Sequence, residues 1–182
     1  ISREEQDLFA YHSQMKATKA QENGRLAEEI SEIHIPQRKG EDLIIRKDEF
    51  IKPTTTLEIL AKLRPAFLKE NGTVTAGNSS GLNDGAAAVL VASDLGLKNY
   101  DLKPMARIVS SGVVGVEPRI MGIGPVEASN LALKRAGLTW NDIDVIELNE
   151  AFAAQSIACL KEMNIDLDDE RVNRNGGAIA LG

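Results

Sequence analysis

Short apolar runs alternate with amphipathic stretches through the second half of the chain. Residues 86–92 are a continuous run of small apolar side chains, which is typical of a strand buried on both faces. Residues 106–116 and 145–148 are further strand candidates, and a last short strand is predicted to start at Val172. Helices are predicted between these runs. The alternation of strand and helix predicts a layered α/β domain.

The first half begins with a strong helix-start signal. Ser2 followed by Glu5 forms a capping box, so a helix is predicted to begin there. It should run to about Gln21 and end at Asn23-Gly24, because glycine readily adopts the left-handed conformation that closes a helix. Its apolar stripe is thin, which predicts one packed face and one solvated face. The stripe consists of Leu8, Tyr11 and Met15.

Weaker signals mark the elements that follow. Residues 33–35 and 43–45 are predicted to be short strands, each bounded by charged residues. Thr55 and Glu58 repeat the capping-box spacing, and a helix over residues 57–63 should follow them.

Proline and glycine set the helix ends of the second half. Ser93 is predicted to cap a short helix. Gly124-Pro125 should open a helix with proline at its first position, and Gly137 should end it after Ala136. A further helix is predicted over residues 150–163.

Composition narrows the class of protein. The 182 residues carry a net charge of −6, which argues against a general nucleic-acid surface. The sequence predicts no membrane-spanning segment. The single cysteine fits a reducing compartment. We therefore expect a cytoplasmic location, with mitochondria or peroxisomes left open because the chain does not begin with Met.

The string from Asn149 to Gln155, NEAFAAQ, follows a predicted buried strand. Ligands of layered α/β proteins collect at the carboxyl ends of strands. An asparagine there can donate its amide N–H to a developing oxyanion, directly or through a held water. Ala151 and Phe152 would form an apolar wall beside it. The alternative is that Asn149 only caps the following helix, a common role for asparagine.

Three glycines lie within nine residues of the loop 77–85, GNSSGLNDG, which a predicted strand over residues 73–76 enters. Glycines let a backbone approach a ligand closely, and Ser79 and Ser80 offer hydroxyls to it. The Lys-Ser/Thr ending of a phosphate-binding P-loop is absent, and the glycine spacing does not fit a dinucleotide fingerprint. The alternative is a tight Asn-Asp-Gly turn between strands.

The other reactive side chains are predicted to be structural. Cys159 lies at helical spacing with Ser156, Leu160 and Met163, on a face that also includes Phe152 and is predicted to be buried. His12 and His34 have no partner placed for base catalysis. No acidic cluster has the spacing of a calcium loop, so no metal site is predicted.

Taken together, four strings resemble the thiolase family, of acetyl-CoA acetyltransferase type. They are TVTAGNSSGLNDGAAAVL (73–90), MGIGPVEA (121–128), IELNEAFAAQ (146–155) and NRNGGAIALG (173–182). Their order and separation match the family too, and the resemblance covers essentially the whole chain. It implies a partial thiolase fold, layered α-β-α, with a loop-domain tail. Residues 1–80 would be the back of the CoA-binding loop domain, 81–103 the end of the N-terminal half and 104–182 the start of the C-terminal half.

The resemblance assigns roles where residues match. Asn149 would hold a catalytic water in an oxyanion hole. Ser80, with Ser79 and Gly81 beside it, would contact the pantetheine arm of CoA. Phe67 and Phe152 would lie near the pantetheine channel. Ser79 stands where alanine is more usual, and Ile59 stands where a serine often contacts adenine.

The resemblance also implies what this stretch lacks. The family's nucleophilic cysteine would lie before Ile1, its histidine directly after Gly182 and its base cysteine later still. The expected activity is therefore that of a parent thiolase acting on acetyl-CoA and acyl-CoA, with no cofactor and a dimeric or tetrameric assembly. The chain alone should be inactive. The alternatives are a thiolase-like protein that binds acyl-CoA or lipid without turnover, and a ketoacyl synthase, which would carry a histidine in place of Asn149.

Overall fold

The computed structural model describes residues 1–182, which form two compact units. The larger unit comprises residues 1–82 and 143–182, and the smaller unit comprises residues 83–142. In chain order the α-helices are α1 (Arg3–Glu22), α2 (Leu57–Ala61), α3 (Asp94–Asn99), α4 (Gly124–Ala136), α5 (Ala153–Glu162) and α6 (Ala178–Leu181). The strands are β1 (Ile33–Ile35) and β2 (Leu43–Ile45), and short 3₁₀ helices span Leu26–Glu28, Pro118–Ile123 and Trp140–Asp142.

Helix α1 begins and ends as the sequence predicts. The Ser2 hydroxyl accepts a hydrogen bond from the Glu5 amide at 3.1 Å, and the Ser2 amide donates to the Glu5 carboxylate at 2.8 Å. These two bonds satisfy amides that the first helical turn leaves unpaired. At the other end Gly24 has φ of +84°, the left-handed conformation predicted there.

The predicted buried face of α1 is wrong. Leu8 is 44% exposed, and Tyr11 and Met15 are only half-buried. The face that packs against α5, α6 and α2 combines small apolar with polar side chains. Its buried members are Gln6, Asp7, Phe9, Ala10, Ser13, Gln14, Ala17 and Ala20. The alanines let neighbouring segments approach closely, and the polar side chains bond to those segments, so a search for large apolar residues points to the wrong side.

The two short strands of the first half pair as a hairpin. Strands β1 and β2 are antiparallel, with Ile33 opposite Ile45. The capping residue of α2 differs from the prediction: the Thr56 hydroxyl, not that of Thr55, accepts from the Ile59 amide. The Thr55 hydroxyl instead donates to the Lys52 carbonyl at 2.8 Å, so it closes the preceding turn.

The strands predicted in the second half do not form ladders within this chain. Residues 86–92 and 106–116 contain no assigned strand, and Val89 and Leu90 are 89% and 81% exposed. The strands predicted at 145–148 and Val172 reduce to one parallel bridge between Ile146 and Val172. A strand requires a neighbour that completes its backbone hydrogen bonds, and an apolar sequence does not supply that neighbour.

The smaller unit is organised around α4, whose ends are as predicted. Pro125 occupies its first turn, and Gly137 follows it with φ of +69°. The segment before α4 is bonded to it, since the Ser110 hydroxyl donates to the Ala132 carbonyl at 2.6 Å. A Cβ at Gly112 would overlap the Ala128 carbonyl oxygen, so only glycine permits this close approach. Ser93 caps α3 through the Gly96 amide, as predicted.

Candidate active site

Two sequence motifs that are far apart in the chain lie side by side. Ser79 and Phe152 form an antiparallel bridge. The Ser80 amide donates to the Ala151 carbonyl at 3.1 Å, and the Ala153 amide donates to the Asn78 carbonyl at 2.9 Å. Residues 78–80 of the glycine-rich loop are therefore bonded to residues 151–153, next to Asn149.

Asn149 does not cap the helix that follows it. Helix α5 begins at Ala153, its N-cap position is Phe152, and it has no side-chain cap. The helix start predicted at Glu150 is wrong, because residues 150–152 are not helical and Phe152 is extended in a bridge to Ser79. Asn149 is exposed and makes no hydrogen bond to the rest of the chain. Its amide is therefore available to a ligand.

The two loop serines differ in what their hydroxyls do. The Ser79 hydroxyl donates to the Thr75 carbonyl at 2.8 Å, so it stabilises the loop itself. The half-buried Ser80 hydroxyl has no partner within the chain. Next to them, a Cβ at Gly81 would overlap the ring of Phe50, so this glycine permits close packing.

An aromatic pair borders the junction of the two motifs. The rings of Phe67 and Phe152 meet edge to face, with centroids 6.1 Å apart and an angle of 73° between planes. Phe67 is 72% exposed, which is unusual for so large an apolar side chain. Phe152 is also exposed, contrary to its predicted place on the buried face of α5, whereas Ala151 is half-buried. The pair offers an apolar surface beside the segment of Asn149.

A buried polar network lies beneath this segment. Glu150 is 1% exposed, and its carboxylate accepts three hydrogen bonds. The donors are the Ser13 hydroxyl at 2.6 Å, the Asn173 amide at 2.7 Å and the Ile179 main-chain N–H at 3.1 Å. A Cβ at Gly177 would overlap this carboxylate, so this glycine makes room for it.

A second network supports the glycine-rich loop. The fully buried Asn78 side chain donates to the Asp7 carboxylate at 2.9 Å and to the Thr73 carbonyl at 3.0 Å. It also accepts from the Thr75 amide at 2.8 Å. Asp7 in turn receives a hydrogen bond from Arg3 at 2.8 Å. Helix α1 therefore holds both motifs through polar side chains.

The sequence reasoning missed these supporting residues. Glu150 and Asn78 lie inside the two motifs, but their local patterns indicate only a helix start and a turn. One signal was present: Ala10, Ala17 and Ala20 follow helical spacing and mark the closely packed face of α1. Polar residues on that same face must find partners when they are buried.

The one cysteine is structural, as predicted. Cys159 is fully buried in α5, and burial raises the pKa of its thiol. A thiol is a nucleophile only as the thiolate, so this group is protected from reaction. His34 is exposed, 3.6 Å from the exposed Glu32, and lies on the β1–β2 hairpin. No group of three or more His, Cys, Asp or Glu side chains is arranged to hold a metal ion.

Family models place the chain in a known class. The model described as "Thiolase, N-terminal domain" matches residues 1–94, and "Thiolase, C-terminal domain" matches residues 102–182. The chain belongs to the thiolase family. None of its helices has the length and apolarity needed to cross a bilayer.

Individual relatives agree with this assignment. The chain is 56% identical over 182 residues to a β-ketoadipyl-CoA thiolase of Acinetobacter baylyi and 57% identical to a probable acetyl-CoA acyltransferase of Staphylococcus epidermidis. Each match covers 100% of this chain and 45% of the relative, so the chain spans about half the length of the curated relatives it matches.

Solved structures confirm the fold class. Human mitochondrial 3-ketoacyl-CoA thiolase superposes with a TM-score of 0.93 at 47% identity, and Bacillus anthracis acetyl-CoA acetyltransferase with 0.94 at 46%. Both comparisons cover 100% of this chain and 45% of the other. The structure is therefore a mixed α/β, partial thiolase fold, whereas the division into residues 1–80, 81–103 and 104–182 stays a prediction.

Proposed function

We propose that this chain is the part of a thiolase-type acyltransferase that binds an acyl-CoA thioester and supplies an oxyanion donor. The observation that carries the proposal is the hydrogen-bonded junction of the two motifs. It places an unpaired Asn149 amide and an unpaired Ser80 hydroxyl on adjoining segments. A merely structural pair of loops would use both groups internally, as Ser79 does.

The chemistry follows from these groups. A cysteine thiolate attacks the thioester carbonyl, forms the acyl-enzyme and releases CoA as a thiol. A second acetyl-CoA loses an α-proton to a base, and its enolate attacks the acyl group, which breaks the bond to the cysteine sulfur, frees the thiolate and forms 3-ketoacyl-CoA. Negative charge grows on the thioester oxygen of the second acetyl-CoA as its α-proton leaves, and a donor already in place stabilises it. Asn149 would supply that donor directly or through a water, while Ser80 would bond to the pantetheine arm.

The 182-residue chain by itself is expected to show no thiolysis of acetoacetyl-CoA. Its one cysteine is buried with a raised thiol pKa, so the chain offers no reactive thiolate to accept the acyl group. Consumption of the free CoA thiol, detected with DTNB, and loss of acetoacetyl-CoA absorbance measure turnover. A Cys159→Ser variant should behave identically. Turnover that disappears in this variant would contradict the assignment of Cys159 as structural.

A chimera tests the proposed function positively. The chain replaces the matching 182 residues of the Acinetobacter baylyi β-ketoadipyl-CoA thiolase, which supplies the remainder of the enzyme. We expect the chimera to cleave 3-ketoacyl-CoA in the presence of CoA, with the unaltered relative as the reference. A folded chimera that binds CoA but is inactive would overturn the proposal.

That outcome would favour the second candidate, an acyl-CoA-binding protein without turnover. The burial of Cys159 is the observation in its favour, since the chain by itself offers a binding surface but no nucleophile. The finer features stay proposals: acetoacetyl-CoA as a substrate, a homodimer or homotetramer as the assembly, and a cytoplasmic location.

The two serines of the loop should respond differently to substitution. Ser80→Ala in the chimera is expected to raise KM for the CoA thioester about 5- to 10-fold with little change in melting temperature, because it removes a hydrogen bond to the ligand alone. Ser79→Ala should lower the stability of the protein by about 1 kcal/mol, since the Thr75 carbonyl loses its donor. Steady-state kinetics and thermal unfolding of both variants check this. Equal effects on KM would contradict it.

A further inference from the structure

Asn149 is held from both sides although it makes no hydrogen bond itself. The residue before it, Leu148, and the residue after it, Glu150, are both buried. Ala151 is bonded to the glycine-rich loop through the Ser80 amide. The main chain at Asn149 therefore has little freedom, while its side chain stays open to the surface.

The Asn173 side chain forms hydrogen bonds to both neighbours of Asn149. The Asn173 amide nitrogen donates to the Leu148 carbonyl at 2.9 Å and to the Glu150 carboxylate at 2.7 Å. Its amide oxygen accepts from the Leu148 main-chain N–H at 2.8 Å. Asn173 is 2% exposed and has φ of +43°, a left-handed conformation that asparagine tolerates better than most residues.

Glu150 bonds to further segments through its other carboxylate oxygen, and we refer to the hydrogen-bonded pair Asn173 and Glu150 as the clamp. Its second oxygen accepts from Ser13 of α1 and from the Ile179 amide at the start of α6. The carboxylate thus joins three segments that are distant in sequence. The Ile179 main-chain N–H and the Asn173 amide nitrogen can only donate, and the Ser13 hydroxyl, which accepts from the Gly177 main-chain N–H, donates its own proton here, so this arrangement calls for an acceptor at position 150.

We propose that Glu150 and Asn173 are positioning residues, which fix the main chain of Asn149 so that its amide points at the reacting thioester oxygen. The inference rests on the proposed function of Asn149. A donor helps a transition state only when it is already in place, and displacement by about 1 Å can cost about 100-fold in rate. The clamp supplies that placement without touching the substrate.

The arrangement of donors and acceptors in the clamp predicts which substitutions keep its hydrogen bonds. In Glu150→Gln, the new side chain can keep its oxygen toward Ser13 and Ile179 only by turning its NH₂ group toward the NH₂ group of Asn173. Rotating the Asn173 amide instead would break both of its bonds to Leu148. Adding Asn173→Asp restores an acceptor for the glutamine NH₂, and only the Leu148 carbonyl then lacks a donor.

The experiment measures kcat and KM for thiolysis in the chimera that carries the full chain. Glu150→Gln and Asn173→Asp should each lower kcat about 10- to 100-fold with KM for the CoA thioester unchanged within about twofold. The double variant should recover kcat to within about fivefold of the chimera, because the swapped pair bonds again. A double variant no better than the worse single variant would overturn the proposal.

Two further variants distinguish the positioning role from a purely structural role of the clamp, and failure of the positioning role from failure of the proposed function. Leu26→Ala opens a cavity in the core formed with Ala17, Ala20, Ile51 and Ala180, and should lower the melting temperature while kcat changes less than about twofold. An equal loss of kcat in Leu26→Ala, at a matched loss of stability, would make the clamp merely structural.

If Asn149→Ala retains full kcat, the proposed function fails. If Asn149→Ala loses kcat while Glu150→Gln keeps a normal kcat, only the positioning role is rejected. If both single variants fail to fold, a folded, active double variant supports the pairing, and an unfolded one overturns it.

Discussion

Asn149→Ala in the chimera is expected to lower kcat for thiolysis by about 10²- to 10³-fold, the usual cost of removing one oxyanion donor. KM should change little, because the amide acts on charge that develops only in the transition state. The melting temperature should stay the same, since Asn149 has no hydrogen bond within the chain and caps no helix. A large loss of rate at constant stability would identify a group that acts on the substrate.

The matched control is Asn99→Ala. Asn99 is likewise exposed, but it lies in the last turn of α3, outside the candidate site. It should leave kcat within about twofold, because exposed substitutions away from special features have small effects. If Asn149→Ala behaves like this control, the assignment of an oxyanion donor is wrong. Circular dichroism of both variants verifies that each is folded.

Gly176→Ala is expected to destabilise the protein by more than about 4 kcal/mol, which places it among the most severe single substitutions. The backbone there has φ of +84°, which side-chain-bearing residues rarely adopt. The new Cβ would also lie 2.6 Å from the Ala17 Cβ and 2.8 Å from the Ser13 carbonyl oxygen. Helix α1 could move away from the new Cβ only if the hydrogen bond between Ser13 and Glu150 broke.

Gly24→Ala is the control for Gly176→Ala, because it separates the cost of the left-handed backbone from the cost of the steric overlap. Gly24 has the same φ of +84°, but nothing lies within 4 Å of a Cβ built there. Its replacement should cost only about 1–2 kcal/mol, the penalty of the left-handed conformation alone. Thermal unfolding and the yield of soluble chimera compare the two. Equal destabilisation would show that close packing at Gly176 contributes nothing.

Local signals in the sequence predicted helix ends well. Ser2 with Glu5, Ser93, and Pro125 with Gly137 each act through a few neighbouring residues, and the structure contains all of them. Thr55 shows the limit of this kind of reasoning. Its spacing to Glu58 fits a capping box, yet Thr56 takes the cap because the Thr55 hydroxyl bonds to the turn before it.

Features that depend on distant segments were not predictable. The apolar runs at 86–92 and 106–116 read as strands, but no other segment of the chain pairs with them. The buried side of α1 was not predictable because several of its polar members bond to distant segments, as Ser13 does to Glu150 and Asp7 does to Asn78. The motif around Asn149 could be located from the sequence, whereas its support by Asn173 could not.

The long-range bonds of α1 have a consequence for the time at which the site forms. Ser13 and Glu150 are 137 residues apart, and Gln14 and Ile179 are 165 residues apart. Contacts between such distant residues form slowly, because a long loop must close before they contribute stability. On a ribosome, α1 emerges with the Ser13 hydroxyl and the Gln14 amide still hydrated. These groups exchange water for their partners Glu150 and Ile179 only after those residues have been synthesised, so this part of the site forms later than the helix that supports it.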